Sequence, residues 1–103
     1  MNNNIIVNRD EYLEAIKRVV ALEEECIEGV RVMKYQIAQR KYAALTTVYT
    51  PVDEFKIKRE TRKAYKEGKK LGLEKEQVKK DITKATNKMR NRITKKAEEI
   101  LGI

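Results

Sequence analysis

Lys80, Lys84, Lys88 and Lys95 recur at intervals of four and seven residues. On a helix that spacing gathers the four ammonium groups within about 80° of arc, at roughly 100° per residue. Asn87 and Asn91 fall among them. Such a row does one kind of chemistry well. Each ammonium group neutralises a phosphate and releases a condensed counterion, which drives binding to a polyanion. Interleaved Asn side chains add hydrogen bonds to phosphates or base edges. Upstream, Lys58, Arg59, Arg62, Lys63, Lys66, Lys69 and Lys70 crowd a second segment. Lys56 to Lys96 holds 17 Lys or Arg against five acids, a net charge of +12, whereas the 103-residue chain carries +8. Glu23, Glu24, Glu25 and Glu28 offset only part of that excess. A field so uneven favours a polyanionic partner. Nucleic-acid contacts are therefore expected at Arg62, Lys63, Lys66, Lys80, Lys84 and Lys88.

Tyr35, Tyr42 and Tyr49 stand seven apart. On a helix, Arg31, Ala38 and Thr46 share their face, about 140° from a Val30–Ile37–Val48 stripe. Tyrosine joins apolar area to a hydroxyl, which suits a subunit interface. Beside Arg31 and Arg40 the same rings would make a stacking platform for bases. The run Thr46-Thr47-Val48-Tyr49-Thr50, with Lys56 and Arg59 following, puts hydroxyls and cations at a helix N-terminus, a natural anion site. Arg31, Tyr42, Tyr49, Thr50 and Arg59 thus form an alternative set for a small nucleotide-type ligand, completed by another protomer. Capping alone explains the junction equally well. A helix-turn-helix spacing is partly met by Leu71, Gly72, Leu73 and Val78, with Glu74, Lys75, Gln77 and Lys79 opening the recognition helix. Gly68 and Asp81 depart from that pattern, and a plain helical hairpin accounts for the same turn.

Catalysis is not expected. The chain has no His and no Ser, hence no imidazole base and no serine nucleophile. Cys26 follows three Glu, which raise rather than lower its pKa, so it reads as a small buried hydrophobe. Being alone it forms no intrachain disulfide, and a reducing cytoplasmic setting fits. The Glu cluster lacks a Glu-x-x-His partner motif and reads as a solvated patch, with no metal. No Gly-rich phosphate loop is present, and no cofactor is expected. The excess of Lys over Arg, 16 to 8, with plentiful Ile and Asn, fits a low-GC bacterium or its phage.

The elements expected to position these residues are three helices in one domain spanning 1–103. An arm (1–7) precedes a long helix (8–49), opened by Asn8 as cap, Glu11 at the capping-box position and a Val7–Tyr12 staple. Leu13, Ile16, Val20, Ile27, Val30, Met33, Ile37, Ala44 and Val48 keep helical spacing. Thr50, Pro51 and Asp53 then open a second helix (50–71), with Ile57, Thr61, Ala64, Gly68 and Leu71 inward. A third (73–101) carries Val78, Ile82, Ala85, Met89, Ile93 and Ile100 on one stripe. The expected fold is all-α: a long N-terminal helix packed with a basic helical hairpin. A first helix of roughly 60 Å cannot be wrapped by so short a chain, so a coiled-coil-like homo-oligomer, dimer or higher, is implied. No apolar run reaches the ~18 residues that span a bilayer, so no membrane insertion is expected. The expected function is a non-enzymatic basic oligomer that binds nucleic acid through its second and third helices. The alternatives are sequestration of a nucleotide-type small molecule and an inhibitory or adaptor role that grips an acidic protein.

Overall fold

The computed structural model describes residues 9–34 and 40–103. In chain order it contains helix α1 (Asp10–Glu25), strands β1 (Ile27–Lys34) and β2 (Lys41–Thr47), and helices α2 (Pro51–Lys70) and α3 (Lys75–Leu101). The all-α expectation is therefore corrected. The long helix over 8–49 stops at Glu25, and an antiparallel hairpin takes its second half. The physical reason is local. Val30, Val32, Thr46 and Thr47 are β-branched residues, stiff at χ1 and suited to a pleated surface. Gly29 weakens the helix where it would have to continue. The register pairs Ile27 with Thr47 and Gly29 with Thr46, so Glu28 sits in a bulge at the hairpin base. The backbone N–H of Val48 donates to the Cys26 carbonyl at 2.9 Å and closes that base. The arm at 1–7, the Asn8 cap and Val7 staple, and Tyr35, Ile37 and Ala38 lie outside the described residues. α1 itself begins after Arg9, which makes no side-chain capping bond.

α2 starts with a complete capping box. Thr50 Oγ1 accepts from the Asp53 N–H at 3.1 Å, and Asp53 accepts from the Thr50 N–H at 3.0 Å. Pro51 fills the first turn, where its missing N–H costs nothing. α2 ends in a Schellman turn. Leu73 N–H donates to the Gly68 carbonyl at 2.9 Å and Gly72 N–H to the Lys69 carbonyl at 3.0 Å. Gly72 has φ +79°, a left-handed conformation open to glycine at little cost. The turn sends Leu71 and Leu73 onto the core.

That core is Tyr12, Ala15 and Ile16 of α1, Ala64 of α2 and Val78 of α3, flanked by Val20, Tyr65, Ile82 and Ala85. Tyr12 meets Val78 and Asp81, while Ile16, Val20 and Glu24 follow Ala85, Met89 and Arg92 along one cleft, so α1 and α3 run parallel. α2 returns antiparallel between their ends. α3 outlasts α1 beyond Arg92, and the hairpin packs against α3 near that point: Thr47 Oγ1 accepts from Arg90 at 3.1 Å, and Ala43 is buried. The result is elongated, 61 × 31 × 23 Å, with a radius of gyration of 17.5 Å against the ~13 Å of a compact domain this size. Among the described residues no helix is long and apolar enough to cross a membrane.

Candidate nucleic-acid interface

α3 owes its exposed face to its inward one. Val78 and Met89 are buried, with Ile82 and Ala85 between them, and this stripe turns Lys80, Lys84 and Lys88 outward. The outward residues form one shallow trough lined by Glu76, Lys79, Lys80, Thr83, Lys84, Asn87, Lys88 and Asn91. Lys95 continues the row and is exposed. The trough is open to solvent along its length, a shape for an extended ligand rather than an enclosed one. Four ion pairs are present among the described residues: Arg59–Glu60, Lys63–Glu60, Lys70–Glu67 and Arg92–Glu24. None of them uses a lysine of the trough. Glu76 is the one acid in the trough lining, at its N-terminal end, whereas Asp81 is turned inward and accepts from the buried Tyr12 hydroxyl at 2.6 Å and from Gln77 at 2.9 Å. That bond explains an acid at a position where an apolar residue would fit a helix-turn-helix. It also ties up Gln77, one of the residues such a recognition helix would present.

The α2 cations are placed elsewhere. Lys63 and Lys66 line a groove between α1 and α2 with Arg18, Lys70, Glu11, Glu14 and Glu67. Three carboxylates there balance much of the charge. Lys70 beside Glu67 holds that carboxyl below its ordinary value. Lys63 lies 3.2 Å from the buried Glu60, and Arg59 lies 3.6 Å from it. Arg62 is exposed. The structure therefore does not bring Arg62, Lys63 and Lys66 into one strip with Lys80, Lys84 and Lys88. The residues that sequence reading missed in the strip are Lys79 and Thr83. Their separation of four, on the outward side of the Val78–Met89 stripe, was the available signal.

The small-ligand set is also dispersed. Arg31 and Tyr42 lie on the hairpin, while Tyr49 and Thr50 follow its base. Tyr42 lies in β2 and Tyr49 beyond its end, so these two do not share a helical face, and Tyr35 lies outside the described residues. Thr50 is occupied by its capping box, and Asp53 and Glu54 in the first turn oppose an anion at the α2 N-terminus. Tyr49 Oη donates to Glu23 at 2.5 Å, which ties the segment before α2 to the end of α1. Burial, then Asp53, Glu23 and Glu25, push the Cys26 thiol up, so it stays protonated and unreactive at neutral pH.

The tyrosine bonds give a pH prediction. The hydrogen bond to Glu23, followed by burial, pushes Tyr49 from its ordinary 10.0 up to about 12. Burial and then Asp81 push Tyr12 up as well. A phenol whose pKa is raised by folding stabilises the fold fully below its unfolded value. That contribution is lost as pH climbs through the folded value. Melting temperature should hold up to about pH 10 and fall above it. Tyr49→Phe should remove part of that alkaline slope, and an unchanged slope would show that the Glu23 bond is not made. Compared with protein-family models, with curated proteins and with solved structures, the chain matches none.

Proposed function

We propose that this is a non-enzymatic nucleic-acid-binding protein whose α3 face docks on phosphates, with Lys79, Lys80, Lys84 and Lys88 as cationic contacts and Asn87 and Asn91 as hydrogen-bonding groups. One observation carries the reading: four lysines converge on one trough of α3 without an ion pair among the described residues, whereas on α2 Arg59, Lys63 and Lys70 are each held by a carboxylate. A helix with its side chains is about 10–12 Å across, and the major groove of B-DNA is about 12 Å wide. Phosphate contacts of this kind position the protein without specifying sequence. The test is fluorescence anisotropy with a short labelled duplex across a salt series. Binding should fall linearly on a log–log plot, with a slope near −0.9 per phosphate contact. Absence of binding at low salt would reject the reading.

The proposal includes self-association in the cytoplasm. Its motive is now the surface and not a long first helix. Val52 and Phe55 at the start of α2 are 60% and 64% exposed, and Ile100 near the end of α3 is 77% exposed. Large apolar side chains in a body this elongated are what a second protomer would cover. Light scattering at micromolar concentration should give a dimer or more, and Phe55→Glu should shift it towards the protomer. A parent that runs as a single 12.1 kDa species would overturn this part.

A further inference from the structure

The cleft between α1 and α3 has an apolar floor and a cationic rim. Ile16 and Val20 of α1 and Ala85 and Met89 of α3 line about 560 Å³ of open space, with Lys17, Lys88 and Arg92 along its lips. That volume lies within the roughly 300–1,000 Å³ of sites that hold a ligand. Leu13 is 47% exposed and extends the floor, because it stands about 20° from Val20 around α1. The one acid in the lining, Glu24, lies 3.5 Å from Arg92. Lys17 and Lys88 are exposed and enter no ion pair among the described residues. Cations strung along both lips suit an extended occupant with acids on its flanks. A single anionic head group would call for them at one end.

The described residues include such a segment. Ile100 and Leu101, in the last turn of α3, are 77% and 47% exposed. Around the helix, Glu99 stands about 100° to one side of Ile100, and Glu98 about 60° beyond Leu101 on the other. Neither acid enters an ion pair among the described residues. An apolar helix face with an acid on each flank complements an apolar groove with a basic lip on each side. The end of α3 cannot fill the cleft of its own protomer. Ile100 lies eight residues beyond Arg92 on the same unbroken helix, about 12 Å farther along it. We propose that the last turn of α3 in one copy of the chain seats in the α1–α3 cleft of another, with Ile100 and Leu101 on the apolar floor and Glu98 and Glu99 against Lys17 and Lys88. Such a contact presupposes that the chain self-associates, and it uses surfaces separate from Val52 and Phe55 of α2. Lys88 also lines the trough, so Lys79, Lys80 and Lys84 are the trough lysines that this contact leaves clear.

The experiment follows the full chain by light scattering over a micromolar concentration series in low salt. Two charge reversals are made: Lys17→Glu with Lys88→Glu in the cleft, and Glu98→Lys with Glu99→Lys at the end of α3. Each reversal alone sets like charges against each other and should raise the dissociation constant about tenfold or more. The four-site variant should assemble as the parent does. An equal mixture of the two reversed chains should do so too, because every cleft then finds an end of opposite charge. A chain that had merely misfolded would not recover in either case. Net charge alone predicts otherwise. The cleft reversal removes two units at each site, from +8 to +4, and on that ground would strengthen association. A cleft reversal that associates as well as the parent overturns the contact, and so does failure of both the mixture and the four-site variant to recover. Assembly that ignores both reversals leaves the cleft to an occupant other than a second copy. If Phe55→Glu still dissociates that assembly, self-association through α2 stands without this contact. A parent that runs as a protomer rejects both.

Discussion

Gly68→Ala should destabilise this protein by about 2 kcal/mol, although the substitution places a better helix former inside a helix. A Cβ built on Gly68 would lie 2.5 Å from Val78 Cγ2 and 3.2 Å from Tyr12 Cε1. Val78 is fully buried and β-branched, so it has one favoured rotamer in its helix and no room to take another. Tyr12 is held by its bond to Asp81. Overpacking costs about 1–3 kcal/mol, and an approach of 2.5 Å to a side chain that cannot move puts this site at the upper end. Intrinsic propensity returns no more than about 1 kcal/mol. At roughly 4–8 °C per kcal/mol for a domain this size, melting should drop by about 10 °C. Val78→Ala in the same chain should recover part of the loss, and the cycle should show a coupling above about 0.5 kcal/mol. A melt equal to or above the parent's would mean that α2 and α3 do not approach at this point. Gly72 makes the contrast: a Cβ there meets nothing within 4 Å, and its left-handed φ is what calls for glycine.

How much of this was legible in the sequence differs along the chain. Thr50, Pro51 and Asp53 mark the start of α2 because capping is local: three side chains and two backbone bonds decide it. Gly72 marks the turn for the same reason, and Val78, Ile82, Ala85 and Met89 keep a helical stripe that is buried or half-buried. The failure over 27–47 came from a real ambiguity. Val30, Met33 and Ala44 satisfy helical spacing by position, yet in the fold they belong to strands. Period alone did not separate the two, and the density of β-branched residues was the better guide. The tyrosine ladder fell with the helix that was to carry it. For the site, residue type and spacing located the outward lysines of α3 because one helix face is set by its own buried stripe. They could not show that Lys63 and Lys66 sit among Glu11, Glu14 and Glu67, because that groove is made by two helices some 50 residues apart in sequence.

That difference in placement yields the largest functional effect. Lys80, Lys84 and Lys88 changed together to Gln should lower the log–log salt slope on duplex by up to about 2.7. Three contacts of roughly 0.9 each correspond to a few-hundred-fold in affinity near 0.1 M salt. Lys63, Lys66 and Lys70 changed to Gln remove the same number of charges from the chain. Their groove already holds three carboxylates, and Lys63 and Lys70 are paired at 3.2 and 3.0 Å. The second variant should therefore lose less than one unit of slope. Both should fold, because none of the six lies on a buried stripe. Lys63→Gln leaves the buried Glu60 with Arg59 alone at 3.6 Å, so the second variant should melt lower than the first. Net charge alone would make the two variants equal, through the long-range field of a basic chain. Equal losses would thus reduce α3 to one part of a diffuse cationic surface. A loss confined to the α3 variant would make its outward face the place where phosphates bind. The decision comes from two proteins with the same composition of charge and different positions for it.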